Sequence, residues 1–213
     1  MASCMDCVYK IAEDGGITYC FKKVIDDGTS MDTTPCDKLL NESTKEFILA
    51  IDPGNTESAY VFADVEDLKP IAFGKVPNTK MLEILNNYFF LYNCIHFPIE
   101  MIKSYGMPVG DTVFETCVWV GRFTERASLF DVSSTFIYRK SDVCQEICHS
   151  SKAKDSNIRQ ALINRFAQHD FKNGRGTKNN PDWFFGFKAD IWQAYAVLVT
   201  YYEKYYKTRD TGD

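Results

Sequence analysis

A short apolar run from Phe47 to Ile51 places the strongest constraint on how this chain folds, because it stops at once at Asp52-Pro53-Gly54. A continuous apolar run of this length, closed by turn-forming residues, is typical of a buried β-strand. Asp52 therefore stands at the end of a strand, where the apolar flank fixes its position and the glycine turn leaves space beside it. Such a carboxylate suits a metal ligand, although an Asp before Pro-Gly is also a common turn former.

The segments after this strand alternate between strand-like and helix-like patterns. Two more strands of a meander are predicted, and apolar residues at helical spacing then predict a helix. A strand, a helix, a fifth strand and two further helices follow. The order predicts an α/β fold, a mixed five-stranded sheet flanked by helices. The predicted segments after the first are 59–63, 70–74, 80–91, 94–99, 113–126, 135–138, 155–168 and 190–206.

The chain of 213 residues fits one ordinary domain with a small appendage. Residues 1–44 are polar and turn-rich, so we predict a small module there, the α/β domain over 45–208 and a tail over 209–213. The sequence has no run of about 18 uncharged apolar residues. Its first residues lack the basic and apolar stretches of a secretory signal. We therefore expect a cytoplasmic protein without membrane contact.

The net charge of −5 argues against a protein that coats nucleic acid with a generally basic surface. The charge is uneven, because residues 1–46 hold nine acidic and five basic residues, whereas residues 150–180 hold two acidic and seven basic ones. A locally basic segment either faces the phosphates of a nucleic acid or is simply a solvated face. The seven basic residues are Lys152, Lys154, Arg159, Arg165, Lys172, Arg175 and Lys178.

Four cysteines lie in the amino-terminal module, where the chain has few apolar residues for a core. One tetrahedral Zn²⁺ bound by their thiolates would supply the missing stability. The first two form a usual Cys-x2-Cys chelating pair, but the other two are far apart, which weakens the pattern. Buried reduced thiols, or disulfides formed on isolation, are the alternatives to zinc. The four residues are Cys4, Cys7, Cys20 and Cys36.

Two further carboxylates stand at the ends of predicted core elements. Glu100 follows an apolar strand that ends at Ile99, and an acid at the end of an interior run needs a partner charge or a metal. Asp190 begins the aromatic-rich last helix. Three acids on three elements, including Asp52, can therefore meet at one point.

These motifs resemble those of the RuvC-type Holliday-junction resolvases, particularly the phage-encoded branch, whose members act in the host cytoplasm. Ile51-Asp52-Pro53-Gly54 looks like the first-strand signature, Ile99-Glu100 like the fourth-strand acid, and residues 190–196 like the acid-bearing last helix. Residues 118–122, and residues 154–162 with their likeness to the phage family's basic helix, extend the resemblance over about 45–206. It implies an RNase H-like fold and a metal-dependent endonuclease that cleaves branched DNA such as Holliday junctions.

The resemblance also implies roles for individual residues. Two Mg²⁺ or Mn²⁺ ions would hydrolyse the phosphodiester, with Asp52 bridging them and with Glu100 and Asp190 each holding one. A symmetric homodimer is implied, because paired nicks across a two-fold junction need two active sites. Candidates for contacts with DNA are Lys103, Tyr105, Lys152, Lys154 and Arg159.

One departure from the family affects the metal site. Bacterial members carry a second Asp one helical turn after the first, where this chain has Gln193. A neutral amide is thus expected on the helix face of Asp190, pointing toward the metals without adding charge. Because of this departure and the acidic composition, a non-catalytic nucleic-acid-binding module with the same fold is the first alternative to the nuclease.

An actin-like or sugar-kinase-like ATPase is the second alternative, because its first strand also ends in an Asp-x-Gly-x-Thr phosphate loop similar to residues 52–56. That fold duplicates the domain and normally needs well over 213 residues. The sequence contains no second phosphate loop. Chain length therefore favours the nuclease.

Overall fold

A computed structural model describes residues 45–92, 95–104, 106 and 108–209, so the predicted cysteine module lies outside the described residues. The described chain forms a five-stranded sheet, a small hairpin and helices on both sides of the sheet. The strands are β1 (Phe47–Asp52), β2 (Glu57–Asp64), β3 (Pro70–Pro77), β4 (Ile95–Met101), β5 (Ser134–Tyr138), β6 (Gly176–Thr177) and β7 (Asn180–Pro181). The α-helices are α1 (Asn78–Leu91), α2 (Asp111–Ser128), α3 (Cys144–Cys148), α4 (Asp155–Phe166) and α5 (Ile191–Tyr201). Arg139–Val143 and Tyr202–Tyr206 form π-helical turns, and Lys207–Arg209 a 3₁₀ turn.

The five-stranded sheet has the order β3-β2-β1-β4-β5. Strands β1, β2 and β3 form an antiparallel meander, whereas β4 and β5 run parallel to β1. This mixed sheet confirms the predicted fold class. Because β1 lies at the centre with a parallel neighbour, its carboxyl end adjoins the carboxyl end of β4.

Two hydrophobic cores cover the two faces of the sheet. Side chains alternate between faces along a strand, so Ile48 and Ala50 of β1 join a core with α4 and α5. Leu49 and Ile51 join the opposite core with α1 and α2. Every residue of α5 except Gln193 is buried, as expected for a helix that is apolar all round.

The boundaries of the predicted elements differ from the structure mainly at their ends. Helix α1 begins at Asn78 rather than at residue 80, directly after Pro77. The helix predicted over 190–206 is α-helical to Tyr201 and then continues as a π-helical turn. The sequence patterns missed the short α3 and the hairpin β6-β7. No helix in the described part of the chain is long and apolar enough to cross a membrane.

Candidate active site at the carboxyl ends of the strands

A buried polar network holds the turn that follows Asp52. The backbone N–H of Gly54 donates to Ser58 Oγ at 3.2 Å, Ser58 Oγ donates to Asn78 Oδ1 at 2.6 Å, and Asn78 Nδ2 donates to the Gly54 carbonyl at 2.9 Å. A Cβ on Gly54 would lie 2.3 Å from the carbonyl oxygen of Glu57, so the turn admits only glycine without moving. The network therefore fixes the backbone directly after the first predicted acid.

Strand register brings Asp52 and Glu100 to the same level. Ile51 of β1 pairs with Ile99 of the parallel β4, and each acid is the next residue on its strand. Both isoleucines face the core with α1 and α2. Because side chains alternate, both acids face the opposite side of the sheet, where α5 packs. Two of the three predicted acids are thus neighbours on one face.

The third acid, Asp190, is the N-cap residue of α5. The residue before it, Ala189, has a φ of 38°, a left-handed conformation that is strained for a residue with a Cβ. Asp190 makes no side-chain cap bond; instead its Oδ2 lies 2.7 Å from Lys75 Nζ. The chain thus enters α5 through a strained residue that turns Asp190 toward the sheet.

The three predicted acids share one electrostatic environment. Burial raises the pKa of Asp52 well above its ordinary value, and the nearby charges of Glu100 and Asp190 raise it further, against smaller opposing effects of Arg139 and Lys75. Burial also raises the pKa of Glu100, with Arg139 acting in the opposite direction. Like charges held together in a partly buried place therefore destabilise their own ionised forms.

Arg139 lies among the acids, a contact that no sequence pattern indicated. Its guanidinium Nη2 donates to Gln193 Oε1 and to Asp155 Oδ1, and its Nη1 lies 3.7 Å from Glu100 Oε2. Glu100 Oε2 and Arg139 Nη1 are both buried and have no hydrogen-bond partner among the described residues. Burial would lower the pKa of Arg139, but Glu100 and Asp155 raise it. The site therefore carries its own half-buried cation.

Lys75 on β3, the edge strand of the meander, is a second cation at the site. In the sheet register Asp52 lies opposite Ala59 of β2, and Ala59 lies opposite Lys75 of β3. Directly opposed residues share a face of the sheet. Because Ala59 is small, the lysine side chain can pass over it to reach Asp190. The position of Lys75 beside Asp190 therefore depends on how the three strands pair, not on the sequence around Lys75.

The acids are nevertheless not gathered around one point. Within the described ranges, no three His, Cys, Asp or Glu side chains are placed to hold a metal ion together. The ion pair of Lys75 holds Asp190, and Arg139 lies between Glu100 and Gln193. The structure therefore brings the three predicted acids into one region, with two cationic side chains between them.

Gln193 and Asp155 are placed differently from the sequence expectation. Gln193 lies on the site side of α5, as predicted, but its amide oxygen accepts from Arg139. Asp155, which the sequence pattern placed only at the start of a helix, is a fourth acid at the edge of the site. The N-cap of α4 is Lys154, whose backbone N–H donates to Asn157 Oδ1 at 3.0 Å.

Asp182 organises the loop before α5 rather than the acidic site. Its fully buried carboxylate accepts backbone N–H bonds at 2.5 to 2.9 Å from Gln168, His169, Asp170 and Trp183. Burial alone would raise its pKa, but these donors hold the pKa of Asp182 far below its ordinary value. The carboxylate is therefore fully engaged in the loop.

Three of the five predicted DNA-contacting residues are exposed, on the segments that follow β4 and precede α4. Lys103, after β4, and Lys152 and Lys154, before α4, are exposed, and Lys103 Nζ lies 5.5 Å from the Tyr138 ring centroid. Arg159 on α4 is half-buried. Tyr105 and the four predicted zinc ligands Cys4, Cys7, Cys20 and Cys36 lie outside the described residues.

Comparison with known proteins agrees with this architecture at the level of the fold. No protein-family model matches the chain, and no curated protein matches it. The structure of Thermus thermophilus RuvC in complex with a Holliday junction substrate superposes with a TM-score of 0.55 and 13% identity, covering 78% of this chain and 97% of RuvC. A second Thermus thermophilus RuvC structure gives a TM-score of 0.52, again with 13% identity over 78% of this chain and 97% of RuvC. The chain has the RNase H-like fold of RuvC.

At 13% identity the likeness to RuvC extends to the fold alone. The likeness in fold extends over 97% of the RuvC chain. The chemistry therefore has to be argued from the acidic site of this chain.

Proposed function

We propose that this protein is a metal-dependent endonuclease that cleaves branched DNA, such as Holliday junctions. The observation that carries the proposal is the placement of Asp52, Glu100 and Asp190 at one end of a RuvC-like sheet, where the first acid experiences the charge of the other two. Clustered carboxylates with a raised pKa are common at catalytic sites. The RuvC structure that shares this fold was solved with a Holliday junction bound, which supports a branched substrate.

The donor set fits a hard divalent cation. Carboxylate oxygens are the ligands that Mg²⁺ and Mn²⁺ prefer, and the buried Glu100 Oε2 has no hydrogen bond within the described residues. A divalent cation would relieve the repulsion that raises the pKa of Asp52. We assign Asp52, Glu100 and Asp190 as its ligands, with the Gln193 amide oxygen beside them.

The bound cation would polarise the phosphodiester and lower the pKa of a water molecule. The protein's own side chains would position the phosphodiester and the acidic ligands. Arg139, held by Asp155 and Glu100, places a fixed positive charge where the negative charge of the phosphodiester increases during cleavage. Lys75, which contacts Asp190, orients that carboxylate toward the sheet.

DNA contacts are assigned to the basic surface around the carboxyl ends of the strands. Lys103, Lys152 and Lys154 are exposed near the site, and Arg159 stands beside the amino end of α5. Contacts to phosphates position a duplex without reading its sequence. We include Tyr105 because it follows Lys103 by two residues in the sequence.

A symmetric homodimer completes the proposal. Helix α2 exposes 59% of Phe114 and 61% of Val118, which lie one helical turn apart on one face. A pair of exposed apolar side chains on a long helix suits burial against a second copy of the same helix. Two copies would bring two active sites to the two strands of a junction.

We retain one structural zinc for the amino-terminal segment, with Cys4, Cys7, Cys20 and Cys36 as ligands. Elemental analysis of protein purified without added metal should find one zinc per chain. A folded segment without zinc would contradict this assignment.

Asp52→Asn tests the nuclease directly, because it removes a ligand charge at constant side-chain volume. We expect Mg²⁺-dependent nicking of a synthetic four-way junction by the parent protein. The variant should lose at least about a thousandfold in rate, about 4 kcal/mol, and still bind the junction in EDTA. Cleavage by the variant within about tenfold of the parent would contradict the metal-ligand role of Asp52.

A non-catalytic DNA-binding module is the second candidate, favoured by the two cations already among the acids. It predicts junction binding without cleavage at any concentration of Mg²⁺ or Mn²⁺. Measuring ATP hydrolysis in the same preparation tests the ATPase alternative.

A further inference from the structure

A cavity of about 520 Å³ opens beside the acidic site, between α4, the amino end of α5 and the loop that joins them. Its walls combine charged, amide and aromatic side chains, including Asp155, Arg159, Gln160, Lys172, Trp192 and Gln193. Binding sites for small organic ligands are usually between about 300 and 1,000 Å³. The space is therefore larger than a single phosphate ion needs and suits one nucleotide.

The cavity is continuous with the candidate active site. Asp155 and Gln193 line it, and both accept hydrogen bonds from the Arg139 guanidinium. Arg139 in turn lies 3.7 Å from Glu100. A ligand in the cavity would therefore lie next to the acidic site, where the phosphodiester would be cleaved.

The cavity wall carries cations without counter-ions. The Arg159 guanidinium is held 4.6 Å from the centroid of the Trp192 ring, which restrains it in one place. Neither Arg159 nor Lys172 forms an ion pair with an acid in the described part of the chain. Burial, and repulsion by the nearby Arg175, lower the pKa of Arg159. An anion bound by Arg159, with Lys172 on the same cavity wall, would offset this repulsion.

The one acid in the cavity wall does not oppose an anion there. Asp155 lies at the end that faces the active site, and its charge is offset by the ion pair with Arg139. The opposite side carries Lys172 together with Asn173. The two ends of the cavity therefore differ in charge. Arg139 neutralises Asp155 near the acidic site, whereas Lys172 at the other end has no counter-ion among the described residues.

We propose that this cavity is a subsite for one nucleotide of the substrate strand, adjacent to the phosphodiester that is cut, with its phosphate bound by Arg159 and Lys172. The side-chain amide of Asn173 offers a donor and an acceptor to the sugar and base, and the side-chain oxygen of Gln160, whose nitrogen donates to Asn164 and Phe171, offers an acceptor. The subsite rests on the proposed nuclease function and specifies where the strand lies. It holds the strand in register with the acids without requiring a particular base.

Binding of thymidine 5′-monophosphate to the full-length protein tests the subsite. The titration is made in EDTA at low salt and followed by NMR or calorimetry, so that it depends on neither metal nor cleavage. Saturable binding is expected, with thymidine at least about tenfold weaker because it lacks the phosphate. Arg159→Gln and Lys172→Gln should each weaken binding about tenfold, and Arg159→Lys by less.

Arg122→Gln is a matched control, because Arg122 on α2 also lies over a tryptophan, 4.2 Å from the centroid of Trp119, away from the cavity. It should leave binding unchanged, and circular dichroism of each variant confirms that it is folded. Absence of saturable binding, or equal affinity of the parent and a folded Arg159→Gln, would overturn the subsite. Junction cleavage by the parent in a parallel assay with Mg²⁺ separates that result from a failure of the nuclease proposal.

Discussion

Arg139 donates through its guanidinium Nη2 to the side-chain oxygen of Gln193, so the amide at this helix position is joined to a cation of the chain itself. The same nitrogen contacts Asp155, and the other terminal nitrogen faces Glu100. Gln193, which departs from the resemblance to the resolvases by lacking a carboxylate, therefore forms a defined hydrogen bond. This changes what a carboxylate at residue 193 is expected to do.

Gln193→Asp alone should not lower the Mg²⁺ concentration needed for half-maximal cleavage. The new carboxylate would form an ion pair with Arg139 before it could bind a metal. In an Arg139→Gln background the same substitution should lower the Mg²⁺ requirement, since the added charge then faces the acids without a counter-ion. Titrations of Mg²⁺ for the two single variants and the double variant measure this. A tenfold lower requirement for Gln193→Asp alone would show that Arg139 does not hold residue 193.

Asp52→Asn should stabilise the metal-free protein at neutral pH. Burial and the neighbouring acids raise the pKa of Asp52, so the folded state binds its proton more tightly than the unfolded state does. Stability then decreases as the pH rises from the ordinary Asp value through the raised one. Asn removes the buried charge, and Tm in EDTA at pH 7.5 should rise by several degrees, since 1 kcal/mol corresponds to about 2–4 °C for a chain of this size.

The same pKa directions predict how the parent responds to pH. Compared with Asp52→Asn, the parent in EDTA should lose Tm as the pH rises from the ordinary Asp value of about 4 toward neutrality, and this difference should be absent in the variant. Glu66→Gln, which changes an exposed acid, serves as the control and should leave the difference intact. Asp182 acts oppositely, because its lowered pKa contributes stability that is lost only as the pH falls below the ordinary Asp range. Equal dependence of Tm on pH in the parent and in Asp52→Asn would contradict the raised pKa of Asp52.

Replacing both Phe114 and Val118 with Asp should convert a dimer into a monomer. The two side chains are largely exposed in the single chain, so the substitutions leave the fold intact and affect only an interface. Light scattering coupled to size exclusion measures the mass. Ile71→Asp is the matched control, because Ile71 is 57% exposed on β3 and lies away from α2. A parent that is monomeric at micromolar concentration would remove the dimer from the proposal.

Gly176→Ala should destabilise the protein, whereas Gly121→Ala should not. Gly176 has a φ of +65°, and a Cβ there would lie 2.3 Å from the Asn180 carbonyl oxygen and 2.7 Å from the Asp182 nitrogen. We expect a loss of about 1–3 kcal/mol or more. Gly121 lies on helix α2, and a Cβ there would meet no neighbouring atom within 4 Å, so alanine should add about 0.5–1 kcal/mol. Urea unfolding monitored by circular dichroism compares the two.

The acids of the site could be found from sequence because their signals are local. Asp52 and Glu100 each end a run of apolar residues, and such a run predicts both a buried strand and the edge at which it stops. In the structure the two strands are parallel neighbours, so the two predicted acids lie side by side. Asp190 was found because an acid begins an otherwise apolar helix.

The cations of the site could not be found in the same way. Lys75 reaches Asp190 because Ala59 separates it from Asp52 in the sheet register, and register depends on the pairing of three strands. Arg139 follows a strand that the pattern did identify, but its direction is set by the π-helical turn after that strand. A lysine or arginine on a sheet edge is more often solvated, so no local pattern marked either residue. The register of the meander, once known, would have indicated Lys75.

The placement of α5 has a consequence for how the protein is synthesised. This helix packs on β1, β2 and β4, and it follows all of them in the chain. One face of the central strand therefore stays uncovered on the ribosome until nearly all of the described chain has emerged. During the same interval Asp52 and Glu100 have been synthesised but Asp190 has not. A translation product that ends before residue 190 would lack both the third acid and the helix that buries this face of the sheet, so the acidic site and the hydrophobic core are completed by the same step.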